Sequence, residues 1–272
     1  MKKLFFLLFT ISFSFLASAH TTDTSLVLAL KEPGSTLTLV LRNKNLTKLP
    51  KSIGKLANLY LLNVSYNQIS SFPESLGQLT NLEYLYCLDN QLTDLPRSLD
   101  KMVKLDHLYL SDNQFTTVPK EVGSLTNLKK LLLDNNQLVS FPEEIIGLKK
   151  LRELTLDGNQ ISDLPESIGE LTSLYWLYLG DNKLTKLPES ITKLKYLEYL
   201  HLEGNQISNL PEAIGEFKML KSLDLNGNQF TDLPETIGQL TNLRYLDLGN
   251  NPLSEAAKIK IKELLPYTAI IF

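Results

Sequence analysis

The 272-residue sequence is poor in the residues that carry most protein chemistry. Cys87 is the only cysteine, so no intramolecular disulfide can form and the fold must be stabilised by burial. No phosphate-binding P-loop, no GxSxG nucleophile turn and no CxxC pair occurs. The formal net charge of −3 is too small to imply nucleic-acid binding, and a hydrophobic content of 43% excludes a disordered chain.

Long hydrophobic runs are also scarce, and the one near the start is short. Lys2 and Lys3 precede an apolar run over residues 4–16, which ends in the small residues Ala-Ser-Ala. This order predicts a signal peptide at residues 1–19 that is cleaved before His20. The run is shorter than the roughly 20 residues that cross a bilayer. We therefore expect an exported protein that is secreted, at the cell surface or periplasmic and has no transmembrane segment. Loss of the two lysines would take its formal net charge from −3 to −5.

Asparagine and proline recur along the chain at a spacing of 23 residues. The asparagines are Asn67, Asn90, Asn113, Asn136, Asn159, Asn182, Asn205, Asn228 and Asn251. The prolines are Pro50, Pro73, Pro96, Pro119, Pro142, Pro165, Pro188, Pro211 and Pro234. Around each asparagine the sequence follows the pattern LxxLxLxxNxLxxLPxxIGxL. A unit of 23 residues cannot bury these leucines alone, so the units must stack and share one interior.

Each repeat contains a strand, a turn and a short return path. Leu131 and Leu133 alternate with Lys130 and Leu132, which predicts a strand with the leucines inside. Stacked strands of this kind pair in parallel at about 4.8 Å. The asparagine amide can satisfy turn backbone that no strand reaches. Proline at the first position and glycine at the end predict a 3₁₀ turn or a single helical turn on the opposite side.

Both ends of the array depart from the repeat. We predict an N-terminal helical cap at residues 20–36, ten repeats at residues 37–255, and a C-terminal cap of helix and strand at residues 256–272. The first helix would run from Thr24 to Lys31, and Ser254 would cap the last one. Lys44 stands at the asparagine position of the first repeat, as expected of an end coil.

The repeat closely resembles the leucine-rich-repeat family, in its 23-residue LPxxIG form. This form is similar to the repeats of Ras-binding scaffold proteins, of plant intracellular relatives and of many secreted bacterial proteins. The resemblance implies an α/β fold: a right-handed horseshoe with parallel strands on its concave face and short helices on its convex face. It also implies that the usual ligands are proteins.

The outward strand positions lie six and four residues before each asparagine. They contain six of the eleven tyrosines, the only tryptophan and two of the three histidines. The candidate binding residues at or beside these positions are Tyr84, Tyr86, His107, Tyr109, Lys130, Arg152, Trp176, Tyr178, Tyr199, His201, Asp224 and Tyr245. Tyrosine and tryptophan suit strands in general, but they are also preferred anchors of protein interfaces.

Catalysis and metal binding have little support in the sequence. His107 and His201 lie four repeats apart, roughly 19 Å across the sheet, so they cannot share a metal. His201 has Glu203 on its own strand and Asp224 on the next, but no hydroxyl or thiol nucleophile accompanies them. We expect no enzymatic activity, no cofactor and no metal.

These observations favour an exported scaffold that binds a protein on the concave face, and the expected partner is a protein of a host or of the extracellular space. Two other classes stay open: an inhibitor that covers the active site of a secreted enzyme, and a structural protein of the cell envelope. A carbohydrate ligand stays open as well, because tyrosine and tryptophan also stack on sugar rings. No nucleic-acid partner is expected.

Overall fold

Parallel strands in chain order form one open sheet. The computed structural model describes residues 26–272, so the predicted signal peptide at 1–19 and residues 20–25 of the predicted cap lie outside the described residues. Within the described range the sheet has eleven strands, each paired with the next one along the chain. They are β1 (Thr38–Val40), β2 (Leu61–Asn63), β3 (Tyr84–Tyr86), β4 (His107–Tyr109), β5 (Lys130–Leu132), β6 (Glu153–Thr155), β7 (Trp176–Tyr178), β8 (Tyr199–His201), β9 (Ser222–Asp224), β10 (Tyr245–Asp247) and β11 (Ala269–Ile271).

The pairing register follows the 23-residue period. Leu131 pairs with Leu154, and Leu154 pairs with Leu177, so equivalent residues of successive coils are neighbours. The middle residue of each repeat strand is fully buried, as Leu131 and Leu177 show. Burying a leucine stabilises the fold by about 1.5–3 kcal/mol. The predicted parallel ladder and the continuous apolar interior are both confirmed.

The repeated asparagines form a ladder of amide hydrogen bonds through the turns. The Asn136 Nδ2 donates to the carbonyl oxygens of Leu110 at 3.1 Å and Leu133 at 3.0 Å. Its Oδ1 accepts from the Phe115 amide at 3.0 Å, so one side chain serves two coils. In the first coil, where Lys44 takes the asparagine position, the Asn67 Oδ1 accepts from the amides of Lys44 and Leu46, both at 2.9 Å. The role predicted for the asparagines is confirmed.

The convex side consists of 3₁₀ helices of five residues. Those within the described range are Lys51–Lys55, Glu74–Gln78, Arg97–Lys101, Lys120–Ser124, Glu143–Gly147, Glu166–Glu170, Glu189–Lys193, Glu212–Glu216 and Glu235–Gln239. The prediction of the proline and glycine roles was wrong in detail. Pro165 precedes its helix, and its carbonyl accepts from the Ile168 amide at 3.1 Å. Gly169 lies inside the helix, where a Cβ would collide with the backbone oxygen of Ser190 in the next coil.

The two ends carry α-helices. Within the described residues α1 covers Leu26–Ala29 and ends two residues before Lys31, the predicted end of the helix. α2 covers Glu255–Leu264, and the Ser254 hydroxyl accepts from the Ala257 amide at 3.1 Å, as predicted for its cap. Ile261 on α2 is fully buried, and β11 pairs in parallel with β10. Neither helix of residues 26–272 has the length and apolar character needed to pass through a bilayer.

The asparagine ladder yields a stability prediction. Replacing Asn136 by alanine leaves buried carbonyl and amide groups of two coils without partners, so the free energy of unfolding should fall by at least about 2 kcal/mol. Urea unfolding of the Asn136→Ala variant measures this loss. The matched control is Asn209→Ala, since the Asn209 side chain is exposed and bonds only to the Ser208 hydroxyl. Equal stability of the two variants would contradict the structural role of the ladder.

Candidate functional site

The sheet brings most of the candidate residues onto one face. Because side chains alternate along a strand, the first and third residues of each repeat strand point away from the leucine interior. We call the surface formed by these positions on β2–β10 the concave face. Eleven of the twelve candidates occupy it on β3, β4, β5, β7, β8, β9 and β10. The exception is Arg152, which lies one residue before β6 and is exposed.

Four candidates form an N-terminal aromatic cluster on the neighbouring strands β3 and β4: Tyr84, Tyr86, His107 and Tyr109. The rings of Tyr86 and Tyr109 stack with their centroids 4.4 Å apart. Tyr84 and His107 stack at 4.7 Å, and Tyr60 at the edge of the sheet lies 5.1 Å from Tyr84. Burial, the largest cause, and the neighbouring charges of Tyr86 and Glu153 raise the pKa of Tyr109.

Two outward residues of the concave face are nevertheless buried. Tyr109 is only 7% exposed, and Thr155 on β6 is equally buried. The reason is lateral packing, since the Tyr86 ring covers one side of Tyr109 and the Lys130 ammonium lies 5.8 Å from its ring centre. Tyr109 therefore points outward but packs chiefly against its own neighbours.

Four further candidates form a C-terminal aromatic cluster on β7 and β8: Trp176, Tyr178, Tyr199 and His201. Trp176 stacks on Tyr199 with centroids 6.2 Å apart. Tyr178 meets His201 edge to face at 4.6 Å. All four side chains are half-buried, so each keeps an accessible part.

Sequence reasoning missed two aromatic residues that extend this cluster. Tyr175 lies 5.7 Å from Trp176 and stacks on Tyr196 at 6.0 Å. Tyr196 is 54% exposed and lies before β8, beyond the sheet face. Tyr175 and Tyr60 both stand seven residues before a repeated asparagine, directly before the strand, so that position of the repeat was the signal that could have found them. Tyr196 follows no strand pattern, because it lies in the turn between the 3₁₀ helix Glu189–Lys193 and β8.

A charged stretch separates the two clusters. The Lys130 ammonium lies 2.7 Å from the Glu153 carboxylate, and the Lys129 ammonium lies 2.8 Å from the Asp106 carboxylate. Arg152 forms no ion pair with any residue of 26–272. These side chains line a shallow depression of about 280 Å³ together with His107 and Trp176. Its single unpaired cation suits a carboxylate of a ligand.

Carboxylates line the downstream ends of the strands. The Asp134 Oδ2 accepts from the hydroxyls of Ser111 and Thr155, both at 2.7 Å. The Asp157 Oδ1 accepts from the Gly180 amide at 2.6 Å. Burial, reinforced by the negative charges of Asp134 and Glu203, raises the pKa of Asp157 to about 8. Burial also raises the pKa of Asp134. This buried row of carboxylates lowers stability whenever it is ionised.

His201 and Asp224 occupy equivalent positions on neighbouring strands. Burial lowers the pKa of His201 to about 4, so its imidazole is neutral at pH 7. Burial and the charge of Asp247 raise the pKa of Asp224 to about 6. In register on the flanking strands β7 and β10 lie Tyr178 and Asp247, and Ser222 is the other outward residue of β9. Within residues 26–272 no three histidine, cysteine or acidic side chains converge in a metal-binding arrangement.

The raised pKa of Asp157 yields a pH prediction. The folded chain holds this proton up to about pH 8, whereas an unfolded aspartate releases it near pH 4, so stability falls as pH rises between these values. Asp157→Asn removes the charge and keeps the oxygen that accepts from Gly180. We expect this variant to gain at least about 1.4 kcal/mol over the native chain at pH 8 and much less at pH 4.5.

Urea unfolding at the two pH values measures the gain. Asp112→Asn is the control, because Asp112 is exposed and its positive φ of 58° is well tolerated by asparagine. A gain for Asp157→Asn that is the same at both pH values would contradict the assignment of a raised pKa.

Comparison with known proteins identifies the family. A family model described as the leucine-rich repeat region matches residues 36–140, 116–200 and 189–261. No curated protein sequence matches the chain. Among solved structures, a leucine-rich-repeat protein of Leptospira interrogans is 28% identical with a TM-score of 0.55, over 91% of this chain and 98% of its own.

Two other solved structures come from different organisms. The internalin InlF of Listeria monocytogenes is 25% identical with a TM-score of 0.59, over 95% of this chain and 86% of its own. The ectodomain of the Arabidopsis thaliana receptor kinase GASSHO1/SCHENGEN3, solved in complex with Casparian strip integrity factor 2, is 29% identical with a TM-score of 0.63, over 82% of this chain and 31% of its own. The family match over most of the chain and the parallel ladder of 23-residue coils show that this chain belongs to the leucine-rich-repeat family.

Proposed function

We propose that this chain is an exported, non-enzymatic scaffold that binds a protein on its concave face. The observation that carries the proposal is the C-terminal aromatic cluster, whose four rings stand half-exposed on a sheet face that no other element of residues 26–272 covers. Aromatic side chains bury a large area at low cost in conformational entropy, which makes them preferred anchors of protein interfaces.

Export is proposed from the amino acid order at residues 1–19, which has the three parts of a secretory signal. The partner would then be a protein met outside the cytoplasm. The similarity to an internalin and to a receptor ectodomain solved with a bound factor supports a role in recognition. A non-enzymatic role is supported by the register around His201, whose direct partners are Tyr178 and Asp224, whereas the Ser222 hydroxyl belongs to the position that pairs with Tyr199.

The proposal is tested by capture of partners from extracellular protein mixtures with the purified chain. The double variant Trp176→Ala and Tyr178→Ala removes two anchor rings, and its affinity for a captured partner should fall by at least about thirtyfold. Its thermal transition should change little, because both rings lie outside the leucine interior. Tyr267→Ala is the matched control, since Tyr267 is 97% exposed and far along the chain from the cluster.

Capture that survives the double variant would refute binding through the cluster. Inhibition assays of the captured partner distinguish a simple scaffold from an enzyme inhibitor. Self-association in sedimentation at several concentrations, without capture of any other protein, would instead favour a structural role in the envelope.

A further inference from the structure

The two halves of the concave face differ in charge. On β7–β10 no outward position carries a lysine or an arginine, whereas Asp224 and Asp247 occupy two of them. Asp181 and Glu203 follow β7 and β8 and add two carboxylates at the same ends of the strands. This half of the face therefore presents a negative surface beside the C-terminal aromatic cluster.

Basic side chains also stand at the opposite, upstream ends of the strands, where Arg152, unpaired among the described residues, lines a shallow depression together with Trp176. Lys221 precedes β9 and pairs with the Glu198 carboxylate at 2.6 Å. Arg244 precedes β10 by one residue, so its backbone is about 10 Å from that of Asp247 along the strand. Within residues 26–272 neither Asp224 nor Asp247 forms an ion pair.

Asp224 and Asp247 repel each other. They are direct partners in the β9–β10 register, where like charges destabilise a sheet. The oxygens of Asp247 accept from the Gly249 amide at 2.9 Å and the Tyr245 hydroxyl at 3.1 Å, and those of Asp224 accept from the Asn226 amide at 3.0 Å. These neutral donors hold both carboxylates in place without cancelling their charges. A cation of a ligand would remove the repulsion on binding.

Rings and carboxylates together suit a guanidinium group. Its flat face stacks on tryptophan or tyrosine, and its edge donates paired hydrogen bonds to a carboxylate. Trp176 and Tyr199 offer ring faces on β7 and β8, and Tyr245 continues the aromatic row on β10. From β7 to β10 the face measures about 14 Å, which an extended segment of four or five residues spans.

We propose that the concave face over β7–β10 binds an extended segment of a partner protein that carries arginine side chains. This inference deepens the proposed function and rests on it. The N-terminal aromatic cluster does not offer the same chemistry, because its outward positions carry no carboxylate. The nearby Asp106 carboxylate is already paired with Lys129.

The test uses blocked six-residue peptides and the fluorescence of Trp176, which is the only tryptophan in the chain. The first peptide alternates arginine and leucine, the second replaces arginine by its neutral isostere citrulline, and the third replaces it by glutamate. We expect a saturable change in emission with the arginine peptide and at least about tenfold weaker binding of the citrulline peptide. The glutamate peptide should not bind.

A pair of charge-matched variants locates the contact. Asp224→Asn with Asp247→Asn removes two charges from the face and keeps the oxygens that accept the bonds of Asn226 and Gly249. The affinity of this double variant for the arginine peptide should be at least about tenfold lower than that of the native chain. Glu189→Gln with Glu212→Gln removes two exposed charges from the convex helices and should change the affinity less than about twofold, as expected for remote surface charges.

Three results would overturn the inference: no saturable signal with the arginine peptide, equal binding of the arginine and citrulline peptides, or equal weakening by the two double variants. Binding of a captured protein partner to the two double variants of the concave face distinguishes failure of this inference from failure of the proposed function. A partner lost with Trp176→Ala and Tyr178→Ala but retained with Asp224→Asn and Asp247→Asn would refute only the arginine chemistry. A partner retained by both double variants would refute the proposed function itself.

Discussion

The amide ladder of the repeated asparagines is the constraint on which the rest of the structure depends. Each turn exposes carbonyl and amide groups that strand pairing does not reach, and a buried peptide group without a partner costs about 1–3 kcal/mol. Asn136 bonds to backbone groups of its own coil and of the preceding one, so the coils can stack only when their asparagines are in line. The register of the strands follows from this alignment, and the buried leucines then supply most of the stabilisation.

A fixed register has a consequence for the surface. Residues at equivalent positions become neighbours at the strand spacing, so a row on the concave face behaves as a column of stacked side chains. Aromatic rings gain from this arrangement, as the contacts of Tyr86 with Tyr109 and of Trp176 with Tyr199 show. Carboxylates lose from it, because Asp224 and Asp247 are held opposite each other. The chain retains this unfavourable pair on the half of the face that also has four half-buried aromatic rings.

The two aromatic clusters differ in how deeply their rings are buried, although each consists of three aromatic residues and one histidine on two neighbouring strands. In the N-terminal cluster the Tyr86 and Tyr109 rings stack closely, and Tyr109 is almost completely buried. In the C-terminal cluster the rings keep accessible parts, and Tyr175 and Tyr196 extend them to the sheet edge. Binding energy is available only from surface that is exposed before binding, which is why the proposed contact lies over β7–β10.

The sequence alone determined the solenoid, because a 23-residue period of leucine and asparagine has few ways to bury its apolar groups and satisfy its turns. It also determined which residues point outward, since strand alternation is local. Only the tertiary structure decided which outward residues are accessible, because the burial of Tyr109 depends on Tyr86 and Lys130 from neighbouring coils. Tertiary structure likewise places Tyr196 beside Tyr175, through the turn that precedes β8. It also explains Gly169, because the backbone of the next coil leaves no room for a side chain at this position.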